Sequence, residues 1–110
     1  MDLSIVIPTR NRPTDLAKML RSLSSAEKSD LSFEVLVVDN NSDERSARQN
    51  RELASTVNLP VRYLQESTPG QSAALNKGIA LAGGGIIAFL DDDIVIHSDY
   101  FRGLKKSLEL

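Results

Sequence analysis

The chain has 110 residues, 41% of them apolar and 25% charged, a net charge of −2 and no cysteine. That is enough for one small domain with a core of its own. It excludes a disulfide framework or thiolate metal site and argues against a surface built for nucleic acid or acidic membranes. No apolar run approaches the ~20 residues that cross a bilayer, and no signal-peptide layout precedes Leu3. A cytoplasmic setting is expected, with any membrane association left to segments outside this chain.

Leu3-Ser4-Ile5-Val6-Ile7 reads as a first strand closed by Pro8-Thr9. Pro13-Thr14 then offers a helix start, and Leu16, Met19, Leu20 and Leu23 fall on one helical face. Phe33 to Val38 is a second strand, nearly all apolar, as expected where both sides are covered. Asn40-Asn41-Ser42-Asp43 is a turn and cap cluster before a polar helix from about Glu44 to Thr56. Val61 to Leu64 is a short third strand, and Ser67-Thr68-Pro69-Gly70 a loop. Ser72 to Ala82 reads as a helix that Gly83-Gly84-Gly85 ends with a flexible turn. Ile86 to Leu90 is a fourth, buried strand. Tyr100, Phe101, Leu104 and Leu108 follow a helical period, and the chain stops at Leu110 without a cap, as a fragment of something longer would.

Strand and helix alternate four times, which calls for a mostly parallel, Rossmann-like α/β sheet with flanking helices and right-handed crossovers. In such sheets ligands bind outside the carboxyl ends of the strands. The residues placed there are Thr9-Arg10-Asn11-Arg12, Asp39-Asn40-Asn41-Ser42, Gln65-Glu66 and Asp91-Asp92-Asp93. All four ends are polar.

The last of these ends is the most informative. Three adjacent carboxylates repel one another, so packing them costs free energy unless a cation, hydrogen bonds or water offsets it. Oxygen-only ligands suit Mg²⁺ or Mn²⁺, which bind through one or two carboxylates plus substrate phosphates. Glycine-rich nucleotide motifs are missing. Thr9-Arg10-Asn11-Arg12-Pro13 stands where a dinucleotide fold has G-x-G-x-x-G, and Gly83-Gly84-Gly85 lies after a helix rather than before one. Without a backbone cradle, a diphosphate here must be neutralised by a metal and by side chains.

Four blocks carry a resemblance: Ile5 to Arg12 (IVIPTRNR), Val37 to Ser42 (VVDNNS), Ala74 to Ile79 (ALNKGI) and Phe89 to Asp93 (FLDDD). In order and spacing they resemble the N-terminal half of family-2 glycosyltransferases of the GT-A fold, over nearly the whole chain. The resemblance implies that residues 1–110 are a single N-terminal, nucleotide-sugar-binding part of such a domain, cut short. It implies a metal-dependent, inverting enzyme that moves a sugar from a nucleotide-sugar, commonly a UDP-sugar, to an acceptor hydroxyl not specified by this chain. Thr9 then corresponds to a nucleotide contact, with Asn11 and Arg12 nearby, and Asp39 to the acid that hydrogen-bonds uracil. Asp91 and Asp92 lie at the ribose and donor sugar, and Asp93, with Asp91, at the metal. Asn41, Asn76 and Lys77 fall inside the matching blocks and join the donor-binding set. Leu75 replaces an Arg found in many members, for which Lys77, Arg10 or Arg12 could compensate. The family's general base would follow Leu110.

Bland readings stand beside these. Asp39 could simply cap the next helix. Asn76 and Lys77 could be a solvated helix face, Arg10 and Arg12 loop charges, and His97 a surface residue, while Tyr63 and the Phe residues read as core. Asp91-Asp92-Asp93-Ile94-Val95 also fits the D-x-D-x-V nucleophile motif of haloacid-dehalogenase-like phosphatases, with Asp91 attacking phosphorus and Asp93 as acid or base. That motif normally follows the first strand of its domain. A non-catalytic metal-binding module is the third alternative, although an EF-hand is excluded because Val95 takes a ligand position. An uncovered sheet edge is expected to invite a homo-oligomer.

Overall fold

The computed structural model describes residues 1–108. Strands β1 (Leu3–Thr9), β2 (Phe33–Asp39), β3 (Val61–Gln65) and β4 (Ile86–Phe89) alternate with helices α1 (Pro13–Ser25), α2 (Glu44–Thr56), α3 (Gln71–Leu81) and α4 (Tyr100–Ser107). The strands form one sheet in the order β3-β2-β1-β4, with every pair parallel. The expectation about a stop at Leu110 lies outside the described residues. None of the described helices is long and apolar enough to cross a membrane.

The pleat sorts the core. Leu3, Ile5 and Ile7 of β1, with Val35 and Val37 of β2, pack against Leu16, Met19, Leu20 and Leu23 of α1 and Phe101 of α4. On the other face Val6, Leu36 and Val38 pack against Ala74 of α3. Both central strands are therefore covered on both sides, which is why β2 reads as an unbroken apolar run.

Two expectations about strands need correction. β1 does not close at Pro8 but runs through it to Thr9, with Pro8 paired to Val38. Val6 O accepts from Leu90 N, and Thr9 O accepts from Asn40 N. Even-numbered β1 residues thus turn their backbone groups toward β4 and odd ones toward β2. Pro8 lacks its N–H on the β4 side, where the last register pair is already Val6 with Phe89, so no ladder bond is lost. Nor is β4 buried. It pairs only with β1 and forms an edge, and Phe89 is 49% exposed, so the Phe residues are not all core. Phe33 and Phe101 do meet in the core, with ring centroids 4.9 Å apart.

The Gly83-Gly84-Gly85 turn is pinned rather than free. Glu34 Oε2 accepts from Ser4 Oγ (2.6 Å) and Gly83 N (2.7 Å), while Ser4 Oγ accepts from Gly84 N (2.8 Å). Arg62 Nη1 lies 3.5 Å from Glu34 Oε1 and donates to Leu81 O. Burial pushes the Glu34 carboxyl up, but the Ser4 hydroxyl, the Gly83 N–H and Arg62 outweigh it and hold the carboxyl below its ordinary value. This cluster anchors the end of α3 at the amino ends of the strands. In the middle of α3, Gly78 lets the helix touch the sheet, since a Cβ there would stand 2.4 Å from Val6 Cγ1.

Two outcomes follow from this packing. Gly78→Ala should gain about 1 kcal/mol of helix propensity yet lose about 1–3 kcal/mol to overpacking, for a net loss in urea unfolding that Val6→Ala partly reverses. A carboxyl held low contributes stability above its unfolded pKa, about 4.3 for Glu, and loses it as pH falls through the folded value. The stability gap between wild type and Glu34→Gln, about 1–3 kcal/mol at neutral pH, should therefore close on acidification below that range. A gap independent of pH would show that Glu34 carries no such charge-assisted bonds.

Candidate functional site

The carboxyl ends of β1, β2 and β4 and the start of α3 enclose an open cavity of about 540 Å³. Pro8, Thr9, Arg10 and Arg12 line it from the β1–α1 turn, and Asp91, Asp92 and Asp93 from the end of β4. Asn40, Gly70, Gln71 and Ala74 complete the wall. Of the residues singled out in the sequence, Thr9, Arg12 and the three aspartates are brought together here. Asn11, Asp39, Asn41, Asn76 and Lys77 do not line the cavity.

The triplet divides its labour by burial. Asp92 is 6% exposed, whereas Asp91 and Asp93 are exposed. Asp92 Oδ2 accepts from the Thr9 hydroxyl at 2.8 Å, and Arg12 Nη1 stands 3.5 Å from Asp92 Oδ1 and 3.4 Å from Asp93 Oδ2. Burial raises the Asp92 carboxyl above its ordinary value, and Asp93 and Asp15 add to this, against the opposing pull of Thr9 and Arg12. The mutual repulsion of Asp92 and Asp93 is thus met by one hydroxyl and one guanidinium. Asp92 turns its Oδ2 inward to Thr9 of β1, where it holds the turn, while it still lines the cavity.

Among the described residues, no three His, Cys, Asp or Glu side chains stand close enough to hold a metal ion by themselves. Asp91 and Asp93 nevertheless offer hard oxygen atoms on the wall of one cavity. That donor set fits Mg²⁺ or Mn²⁺ bound through one or two carboxylates with the remaining positions left to water and phosphate.

The loops around the cavity are stapled by asparagines. Asn11 and Asn41 adopt left-handed backbone (φ 53° and 60°), which Asn tolerates better than most residues. Asn11 N donates to Ser42 Oγ (2.9 Å) and Asp43 N to Asn11 Oδ1 (2.7 Å), tying the β1–α1 turn to the β2–α2 turn. Asn41 Nδ2 donates to Ser67 O (2.9 Å). Asn11 and Asn41 therefore shape the rim. Asn40, which the sequence reading left out of the site, is buried: its Nδ2 donates to Thr68 O (2.7 Å) and its Oδ1 accepts from Gly70 N (3.1 Å). This fixes Gly70, whose φ of +108° suits glycine alone, and sets the start of α3 at the cavity with no side-chain cap. The uncapped first turn supplies free N–H groups and a positive dipole end, a feature that glycine motifs alone would not reveal.

Asp39 is 2% exposed and sits on the α1/α2 side of the sheet. It does not cap α2, a role taken by Asp43 through Ser46 N at 2.8 Å. Asp39 Oδ1 accepts from Ser42 N (3.1 Å), and Oδ2 accepts from Tyr63 Oη (2.6 Å) and Asn50 Nδ2 (3.2 Å). Asn76 is exposed on α3 and Lys77 half-buried. His97 is exposed, its Nδ1 accepting from Asp99 N, as a surface residue would.

Comparison with known proteins gives this site a family. Residues 4–109 match Glycosyl transferase family 2, and the chain belongs to that family. It is 31% identical over 100 residues to the glycosyltransferase AglE of Haloferax volcanii, covering 91% of this chain and 33% of AglE. It is 32% identical over 99 residues to the beta-monoglucosyldiacylglycerol synthase of Trichormus variabilis, covering 88% of this chain and 21% of that enzyme. The chain thus spans a third or less of these relatives. The mannosyltransferase PcManGT of Pyrobaculum calidifontis, in complex with GDP-Man and Mn²⁺, superposes with a TM-score of 0.78 at 25% identity, over 88% of this chain and 29% of that one. S. aureus TarS 1-349 shares the fold, with a TM-score of 0.84 at 23% identity over 99% of this chain and 32% of that one. The four-stranded parallel sheet is therefore that of GT-A glycosyltransferases.

Thr9→Val removes the shortest hydrogen bond to buried Asp92 and should cost about 1–3 kcal/mol in urea unfolding. Thr9→Ser, which keeps the hydroxyl, should recover most of it. Equal stability of the Val and Ser variants would mean that Asp92 does not depend on this bond.

Proposed function

We propose that this chain is the donor-binding part of a glycosyltransferase that takes a nucleotide-sugar, a UDP-sugar in the first place, with Mg²⁺ or Mn²⁺. The observation that carries the reading is the convergence of Arg10, Arg12, Thr9, the uncapped start of α3 and the exposed acids Asp91 and Asp93 on one cavity, in a chain of this family. A nucleoside diphosphate needs cationic and N–H partners, and a divalent ion needs hard oxygens. Both sets stand on the same wall. Family membership also favours the transferase over the phosphatase reading of the acidic triplet.

Each group then has a task. Arg10 and Arg12 offset diphosphate charge, aided by the positive end of α3. Asp39 contributes an acceptor to the base at the carboxyl end of β2. Asp93, with Asp91, would hold the ion, which when bound offsets the charge that develops on the departing diphosphate. Arg12 now leans on Asp93, so it would release that carboxylate to the ion and turn to phosphate. Asn11, Asn40 and Asn41 keep the turns in register for this exchange. Asn76 and Lys77 stand farther along α3, where Lys77 adds positive charge beside the donor. The displacement is proposed to be inverting, with a base acting on the acceptor hydroxyl from the opposite face. The acceptor is open, and self-association through the free edge of β4 belongs to the same proposal, as does a cytoplasmic setting.

Calorimetry of UDP binding with Mn²⁺ tests the reading. Asp93→Asn should weaken the metal-dependent part of binding at least about tenfold, while Glu66→Gln, outside the cavity wall, should change it little. Equal affinities for wild type and Asp93→Asn would remove Asp93 from the metal site. A panel of nucleotide-sugars under the same conditions would identify the donor.

A further inference from the structure

Asn50 is the anomaly of this molecule. It is fully buried on α2, and its Oδ1 is the one buried side-chain polar atom without a partner among the described residues. A leucine of similar volume would avoid that penalty. The other end of the amide is spent on Asp39 Oδ2, which Tyr63 Oη also donates to, at 2.6 Å. Tyr63 is held as a donor, because burial and the Asp39 hydrogen bond push its hydroxyl pKa upward. Arg51 stacks over its ring, 5.4 Å from the centroid, and steadies it.

A carboxylate offers about four acceptor positions, two on each oxygen. Tyr63 and Asn50 fill both positions on Oδ2, and Ser42 N fills one on Oδ1. One position is left. Uracil presents a single N–H flanked by two carbonyls. Guanine presents an N–H beside an amino group, a pair that fits a carboxylate with both oxygens free.

We infer that Tyr63 and Asn50 set base selectivity: by occupying Oδ2 they restrict Asp39 to one further hydrogen bond, which suits a uracil edge and disfavours a guanine edge. This rests on the reading above that Asp39 meets the base. Tyr63 and Asn50 are positioning residues, since neither needs to touch the nucleotide.

Competition between UDP and GDP in the presence of Mn²⁺, measured on the whole chain, tests it. Tyr63→Phe should lower the UDP-over-GDP affinity ratio about fivefold or more, through a gain for GDP rather than an equal loss for both. Asn50→Leu should shift the ratio the same way, although it also takes one donor from buried Asp39. A purely structural role predicts a different pattern, with both nucleotides weakened equally and the ratio unchanged. That pattern overturns the inference, as does a wild-type chain with no preference for UDP over GDP. Asp39→Asn is the control that separates the two levels. If it leaves the ratio unchanged, the reading that Asp39 meets the base fails. If it shifts the ratio while Tyr63→Phe and Asn50→Leu do not, only the inference fails.

Discussion

Two carboxylates buried at the carboxyl ends of the strands, Asp39 and Asp92, govern the upper half of this molecule. A charged group taken out of water is costly unless donors surround it. Asp39 therefore fixes the β2–α2 turn through Ser42 N, orders Tyr63 on β3, and draws Asn50 inward from α2. Asp92 fixes Thr9 at the end of β1 and draws Arg12 across the cavity. The two clusters are joined because Ser42 also accepts from Asn11 N, so the β1–α1 and β2–α2 turns cannot move independently. A site with little covering wall is thus made rigid by its own polar interior, as the proposed binding of a flexible diphosphate would require.

The opposite end of the sheet performs a matching task for α3. Glu34, a third buried acid, gathers Ser4, Gly83 and Arg62 and so anchors the C-terminal end of that helix. Gly78 brings its middle against Val6, and Asn40 fixes its beginning through Gly70. Among the described helices α3 alone covers its face of the sheet, so these three fastenings decide where its first turn lies. They link strand packing directly to the electrostatics of the cavity, since the helix start is where unpaired N–H groups and the positive dipole end are found.

Much of this was legible in the sequence because strand and helix periods differ and each run is bounded by turn residues. The element order and α2 from Glu44 to Thr56 follow from pattern, as does the gathering of Thr9, Arg12 and the aspartates. What pattern could not show is pairing at a distance. Tyr63 is 24 residues from Asp39 and Asn50 is 11, and a tyrosine in an apolar strand reads as core until its hydroxyl finds a partner. Strand extent failed at Pro8 because the cost of a missing N–H depends on which neighbour it faces, and β4 ends before that point. β4 read as buried because an apolar run is silent about whether a second strand flanks it. Asn40 and Asn41 are alike in sequence; left-handed backbone at Asn41 is what sends one side chain to the loop at Thr68 and the other to Ser67.

The acidic triplet shows why a run of identical residues need not act as one unit. With Asp92 committed to Thr9, the chain presents Asp91 and Asp93 to solvent on either side of a buried acid. Burying the middle carboxylate separates the outer two from direct repulsion while keeping both on the cavity wall. It also gives Arg12 a task, since Asp93 would otherwise face Asp92 without a countercharge. The guanidinium, at more than 3.3 Å from either acid and half in solvent, forms no tight bidentate pair. A pair so loosely made costs little to separate. The arrangement therefore keeps Asp92 and Asp93 beside a shared countercharge, and under the proposed reading a divalent ion held by Asp91 and Asp93 would leave Arg12 free to meet phosphate.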